Sequence, residues 1–158
     1  KYIYKMNIIK INNLHKKWME YAIIQAKIAL INNEMPIGSI IIKNNKIIST
    51  GHNQILTTNN PLGHAEIIAI QKATIKNKNH KLTNSYIYIT KEPCLMCIGA
   101  ILNTKIKNII FGSYNIINEN KNNILNSYLL NKNIIYTGGV YKNKCDLLLK
   151  YFIKKNLL

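Results

Sequence analysis

The sequence contains no arginine; all 22 of its basic residues are lysine. Lysine grips a phosphate as a point charge and lacks the bidentate guanidinium fork, which excludes a phosphate reader built on arginine. Acidic residues are scarce as well, six against those 22, leaving a formal charge of +16. Such a balance favours a polyanionic partner and salt-dependent affinity. Asn, Ile and Lys are nevertheless spread evenly along the chain, a bias that AT-rich coding DNA produces whatever the function. Cysteine is limited to three residues, an odd number that excludes a closed disulfide framework and fits reduced thiols in a cytoplasm. No run of 18 apolar residues occurs, so no membrane-spanning helix is expected. The opening stretch KYIYKMNIIKINNL lacks the uninterrupted apolar core and small-residue cleavage site of a secretory leader. With no repeat and no Gly/Ser or Pro linker, the expectation is one domain over 1–158, its first thirteen or so residues a loose extension.

What is present alternates between helical and strand periodicity. Residues 14–32 carry Trp18, Tyr21, Ala22, Gln25, Ile28 and Ala29 at helical spacing, closed by Asn32, Asn33 and Pro36. SIIIKNNKIIST places two β-branched runs around Asn44-Asn45, a pair that tolerates positive φ and suits a tight hairpin. HAEIIAIQKATIKNK reads as a helix opening at His64, YIYIT as a strand, and CLMCIGAILN as a short helix that Pro93 introduces. NIIFG and NIIYTGGV read as further strands, with a short helix expected over 124–130 in the Asn-rich stretch between them. KNKCDLLLKYFIKK closes the chain, with Cys145, Leu148, Leu149, Phe152 and Ile153 expected on one face. The order is that of an α/β layer fold.

The chemistry lies in two short stretches. In KEPCLMC, Cys94 and Cys97 stand three positions apart at a helix start, where they point the same way and where the helix dipole favours thiolate over thiol. A third ligand is offered by His64, at the start of another helix. No fourth strong candidate exists, because Cys145 sits in the amphipathic closing helix as a small core residue. Zinc in structural sites takes four protein ligands, and in catalytic sites three plus water, so this set points to a catalytic metal. Glu66, two residues after His64, is placed to take a proton from the reacting water. By composition, a C-x-x-C preceded by Pro together with an H-x-E arises by chance on the order of once in ten thousand such chains. A redox C-x-x-C is the competing reading, but it leaves His64 and Glu66 unexplained. His15, His52 and His80 are expected as packing or surface residues.

These motifs resemble the zinc-dependent nucleobase deaminases, whose established signature is H-x-E…P-C-x-x-C. The likeness extends over residues 18–155. EMPIGSIIIKNNKIISTGHN, PLGHAEIIAI, YIYITKEPCLMCIGAIL, KIKNIIFGS and GGVYKNKCDLLLKYF are similar to bacterial tRNA-specific adenosine deaminases. The resemblance implies a cytidine deaminase-like three-layer α/β/α sandwich around a mixed five-stranded sheet. It implies one Zn2+ per subunit on His64, Cys94 and Cys97, with Glu66 as proton shuttle and Asn53 in the pocket against the base. It further implies hydrolytic deamination of adenosine to inosine at the wobble position of a tRNA anticodon, by a cytoplasmic homodimer. The target nucleotide must leave its stack, which is easier in a loop than in a duplex.

Two departures accompany the match. Where the family often carries an acidic residue after FGS, this chain has Asn115, whose amide both donates and accepts. NIINENKNNILN replaces a loop that is usually small-residued and bears glycine. A deaminase of a free base or nucleotide, guanine or cytosine, shares the zinc signature and is the alternative. A non-catalytic RNA-binding subunit would lack the proton-shuttling carboxylate that Glu66 supplies.

Overall fold

The computed structural model describes residues 13–115, Leu129 and residues 132–156. The expected extension before residue 13 and the helix expected over 124–130 lie outside these residues, apart from Leu129, which is helical and buried. Four helices and five strands follow in the order α1 (Asn13–Ile31), β1 (Gly38–Lys43), β2 (Lys46–His52), α2 (Ala65–Asn77), β3 (Ser85–Lys91), α3 (Leu95–Asn103), β4 (Asn108–Ser113), β5 (Ile135–Thr137) and α4 (Lys142–Asn156).

The strands form one mixed sheet in the order β2-β1-β3-β4-β5. β1 pairs antiparallel with both β2 and β3, while β3–β4 and β4–β5 are parallel. Along β3, Ile87 and Ile89 face a core built with Ala69 and Ala73 of α2 and Ile98 and Ile101 of α3. Tyr88, between them, faces the opposite core, made with Trp18, Met19 and Ala22 of α1 and Cys145 of α4. Helices therefore cover both faces, and the period-2 alternation buries most residues of the central strands on one face or the other, with Tyr86 near the start of β3 left exposed. Central strands buried on both faces need near-continuous apolar runs, which is why they read as Ile-rich. The three-layer sandwich is as expected from the sequence.

Asn44 and Asn45 both adopt left-handed φ, 50° and 57°. Positive φ at both central residues gives the turn whose twist matches the flanking strands. Glycine permits two close approaches. A Cβ at Gly38 would lie 2.1 Å from the carbonyl oxygen of Ala22 in α1, and one at Gly51 would lie 2.2 Å from that of Ala65 in α2. The approach at Gly38 turns α1 from its expected face. The small residues Ala22, Ala26 and Ala29 turn to the sheet with Met19 and Ile23, while Tyr21 is left 42% exposed. On α4, Cys145 is buried as expected, but Ile153 is 53% exposed. The helix packs on β4 and β3 through its first turns, and its last turns are exposed.

Candidate metal centre and active-site cavity

β2 and β3 both run antiparallel to β1, so their C-terminal ends lie at the same edge of the sheet. The connections to α2 and α3 leave from that edge, which brings the two helix N-termini together. His64 is the N-cap of α2 and Cys94 the N-cap of α3, each with extended backbone (ψ 147° and 169°) and no side-chain capping bond. Their side chains are thereby free to turn toward each other. Helix α3 begins at Leu95, two residues after Pro93. Cys97 follows in its first turn and is buried, while Cys94 is exposed toward the cavity.

His64 Nδ1 lies 3.7 Å from Cys94 Sγ and 3.5 Å from Cys97 Sγ. The three donor atoms all fall within 4.8 Å of one another. Metal–sulfur bonds of about 2.3 Å and metal–nitrogen bonds of about 2.0 Å at a tetrahedral angle set an N···S edge of about 3.6 Å. The donors thus stand at the separations one metal ion requires. Burial depresses the His64 imidazole, favouring the neutral form that ligates a metal. Burial first, then the charges of Glu66 and Cys94, pushes the Cys97 thiol far up. A thiol so placed loses its proton readily only to a cation, so the donor set calls for one.

Glu66 stands in the first turn of α2, 3% exposed. Burial pushes its carboxyl up to about 6, against its backbone hydrogen bond, the Cys97 thiol and the charge of Lys91. A carboxyl held near neutrality both takes and releases a proton with little cost.

The cavity beside these groups has a volume of about 420 Å³, the size of a small-molecule site. Met35, Ile37, Ile55, Leu56 and Phe152 form apolar walls, and Lys91 brings a positive charge. Asn53 is 2% exposed and lines the cavity. Its Oδ1 accepts from the backbone N–H of Ala65 at 3.0 Å, so Asn53 caps the N-terminus of α2 that His64 itself does not cap. Asn115 also lines the cavity. Its backbone N–H donates to Glu92 Oε2 at 2.8 Å and its Nδ2 to the Glu92 carbonyl at 3.0 Å, which leaves Oδ1 as the acceptor.

Glu34 and Glu92 are site residues that reading motifs passed over. Both line the cavity with Glu66, so three of the chain's six acidic residues meet at one place. That scarcity was the usable signal: each stands inside a motif stretch, EMPIG, HAE or KEPC. Phe152 had no such signal, because its approach to the cavity depends on where α4 docks. His15 packs against Tyr88, its Nδ1 2.9 Å from the hydroxyl; His80 is exposed and is not among the residues lining the cavity.

A family profile described as MafB19-like deaminase matches residues 13–143. The chain is 39% identical over 147 residues to the tRNA-specific adenosine deaminase of Buchnera aphidicola subsp. Schizaphis graminum, covering 90% of this chain and 96% of that one. The chain belongs to the tRNA-specific adenosine deaminase family. Among solved structures, one from studies of A-to-I editing by tRNA:A34 deaminases at the wobble position is 30% identical with a TM-score of 0.62, covering 64% of this chain and 78% of that one. A guanine deaminase from Bacillus subtilis is 32% identical with a TM-score of 0.61, covering 63% and 64%. The backbone therefore carries the deaminase fold without separating the two substrates. The near full-length sequence match is what places the chain in the tRNA deaminase family.

Proposed function

We propose that this protein deaminates adenosine to inosine at the wobble position of a tRNA anticodon, with one Zn2+ held by His64, Cys94 and Cys97. The observation that carries the reading is the buried Glu66 carboxyl beside a three-donor metal set, with Glu66, His64 and Cys94 lining one cavity of about 420 Å³. Zinc bound there supplies Lewis acidity that lowers the pKa of the attacking water. Glu66 takes one proton from that water as its oxygen bonds C6 of adenine and delivers it to ring nitrogen N1. The carboxyl then takes the remaining hydroxyl proton at C6 and hands it to the amine, which leaves as ammonia as the C6–N bond breaks and C6=O forms. Water is consumed and ammonia leaves, so the reaction balances without a redox partner.

Asn53, with Oδ1 committed to Ala65, offers its Nδ2–H₂ to an acceptor on the base. Asn115 offers Oδ1 to a ribose 2′-hydroxyl, the contact that distinguishes RNA from DNA. The apolar walls exclude water and receive the splayed-out base, while the +16 charge attracts the RNA backbone. A homodimer in the cytoplasm is part of the same reading. It is supported by the family relationship and by exposed apolar side chains such as Leu95, 71% exposed beside the metal set. No described helix is long and apolar enough to cross a membrane.

The test is deamination of an anticodon stem-loop bearing a wobble adenosine, run beside free adenosine, cytidine and guanine, with Glu66→Ala as control. Inosine formed in the stem-loop and lost in the control supports the proposal. Turnover of free guanine or cytidine in its place assigns the protein to the small-molecule deaminases. Metal-loaded protein that turns over none of them points to a non-catalytic subunit.

A further inference from the structure

Glu34 is a buried carboxylate that the proposed reaction does not use. It is 1% exposed, yet it lines the active-site cavity. Its Oε1 accepts twice from one residue, from the backbone N–H of Thr57 at 2.7 Å and from the Thr57 hydroxyl at 3.1 Å. Burying a carboxylate is costly unless its hydrogen bonds are made, so this pair of bonds is what Glu34 is buried to form.

Thr57 lies in the loop that joins Asn53 to His64. The loop is closed on itself at its base, where Gln54 N–H donates to the Gly63 carbonyl at 2.8 Å. Within it, Asn60 N–H donates to the Ile55 carbonyl at 3.1 Å and Gly63 N–H to the Asn60 carbonyl at 2.9 Å. Its outer half is tied to the body of the protein through Thr57 and Glu34. Glu34 is itself held at the end of α1, its N–H donating to the Ala29 carbonyl at 2.9 Å. The residues just before Thr57 are Ile55 and Leu56, one wall of the cavity. His52 is the other titratable group that feels the Glu34 charge.

We propose that Glu34 is a positioning residue that holds the Ile55–Leu56 wall against the substrate by anchoring Thr57. It does not touch the reacting atoms. The proposal rests on the deaminase reading for its kinetic test only. Because both bonds end on one oxygen, an amide oxygen accepts them in the same geometry, though without the strength that charge adds, so Glu34→Gln keeps the anchor and Glu34→Ala removes it.

The experiment measures kcat and KM on the anticodon stem-loop for wild type, Glu34→Ala, Glu34→Gln and Thr57→Val, with bound metal quantified and amide hydrogen exchange followed at Thr57. Glu34→Ala is expected to raise KM about tenfold or more with kcat within about threefold and metal content unchanged. Glu34→Gln is expected near wild type, and Thr57→Val, which keeps the N–H bond, in between. Loss of exchange protection at Thr57 in Glu34→Ala, and its retention in Glu34→Gln, reads the anchor without substrate. The proposal is overturned by an unchanged KM in Glu34→Ala, or by Glu34→Gln being as impaired as Glu34→Ala, which makes charge the operative property. If Glu34→Ala does not fold, an unprotected Thr57 amide in folded wild type overturns it equally. Failure of wild type to deaminate the stem-loop sinks the functional reading alone, because the exchange result stands apart from it.

Discussion

The Nδ1 of His64 lies 3.5 Å from the Sγ of Cys97, across 33 positions of sequence. Each residue sits at a helix start, and the pairing of β1 with both β2 and β3 brings those starts to one edge of the sheet. A donor set so close is held together best by a cation. Removal of the metal with a chelator is expected to abolish activity and lower the melting temperature by about 5–10 °C, the shift for a metal present at about a hundred times its Kd. His64→Ala and Cys97→Ala are expected to start from that lower midpoint and to ignore added zinc. Metal analysis and thermal melts check this.

Glu66 carries the proton in the proposed reaction, and its carboxyl is buried. Glu66→Gln keeps the shape and removes the proton transfer. It is expected to lower kcat by about 10²–10⁴-fold with metal content and melting temperature retained, measured by single-turnover assay beside metal analysis.

Asn53 has two duties on two atoms. Its Oδ1 accepts from Ala65 N–H, and in the proposed reaction its Nδ2 donates to the base. Asn53→Asp retains the acceptor and is expected to hold the fold while weakening stem-loop binding. Asn53→Ala loses both and is expected to cost about 1 kcal/mol of stability in addition, the usual loss for a helix cap. Denaturant melts and stem-loop titrations separate the two.

His15 is buried against Tyr88, and burial holds its imidazole below the ordinary value. The fold therefore favours neutral His15, while the unfolded chain takes up a proton on falling through about pH 6.5. Unfolded protein binds more protons in that window, so stability rises with pH through it and is lost below it. His15→Gln is expected to flatten the part of the slope between about pH 5 and 7. Urea midpoints across pH, wild type against variant, check it.

Gly51 carries no Cβ where one would meet the Ala65 carbonyl oxygen at 2.2 Å and the Ala69 amide nitrogen at 2.7 Å. Gly51→Ala must push α2 from β2, and α2 carries His64 and Glu66. The expected cost is about 1–3 kcal/mol, the range for overpacking, with a parallel loss of metal affinity, read by melting and zinc titration.

The hairpin and the starts of α2 and α3 were legible in the chain, because each rests on contacts within a few residues; His64, Cys94, Cys97 and Glu66 stood out by residue type and local spacing, while their meeting spans 30 and more positions. Asn-Asn selects a turn through its tolerance of positive φ, and C-x-x-C shares one helical turn. The buried face of α1 was misjudged at Tyr21 because periodicity locates a stripe without saying which residues the sheet approaches. That was decided by Gly38, whose missing side chain draws the Ala22 side of the helix inward. Glu34 and Glu92 were passed over as site residues because their partners, Thr57, Tyr136 and Asn115, lie 23 to 44 positions away.

By itself the sequence determined which atoms can hold a metal and which carboxyl can move a proton, since donor chemistry and local spacing are properties of residues. Only the tertiary structure decided that His64 meets Cys94 and Cys97, that Glu66 is buried, and that the Asn53 and Asn115 side chains are each committed through one atom to the protein backbone. Those facts depend on strand order and on where the connections leave the sheet, and long-range strand pairing settles both.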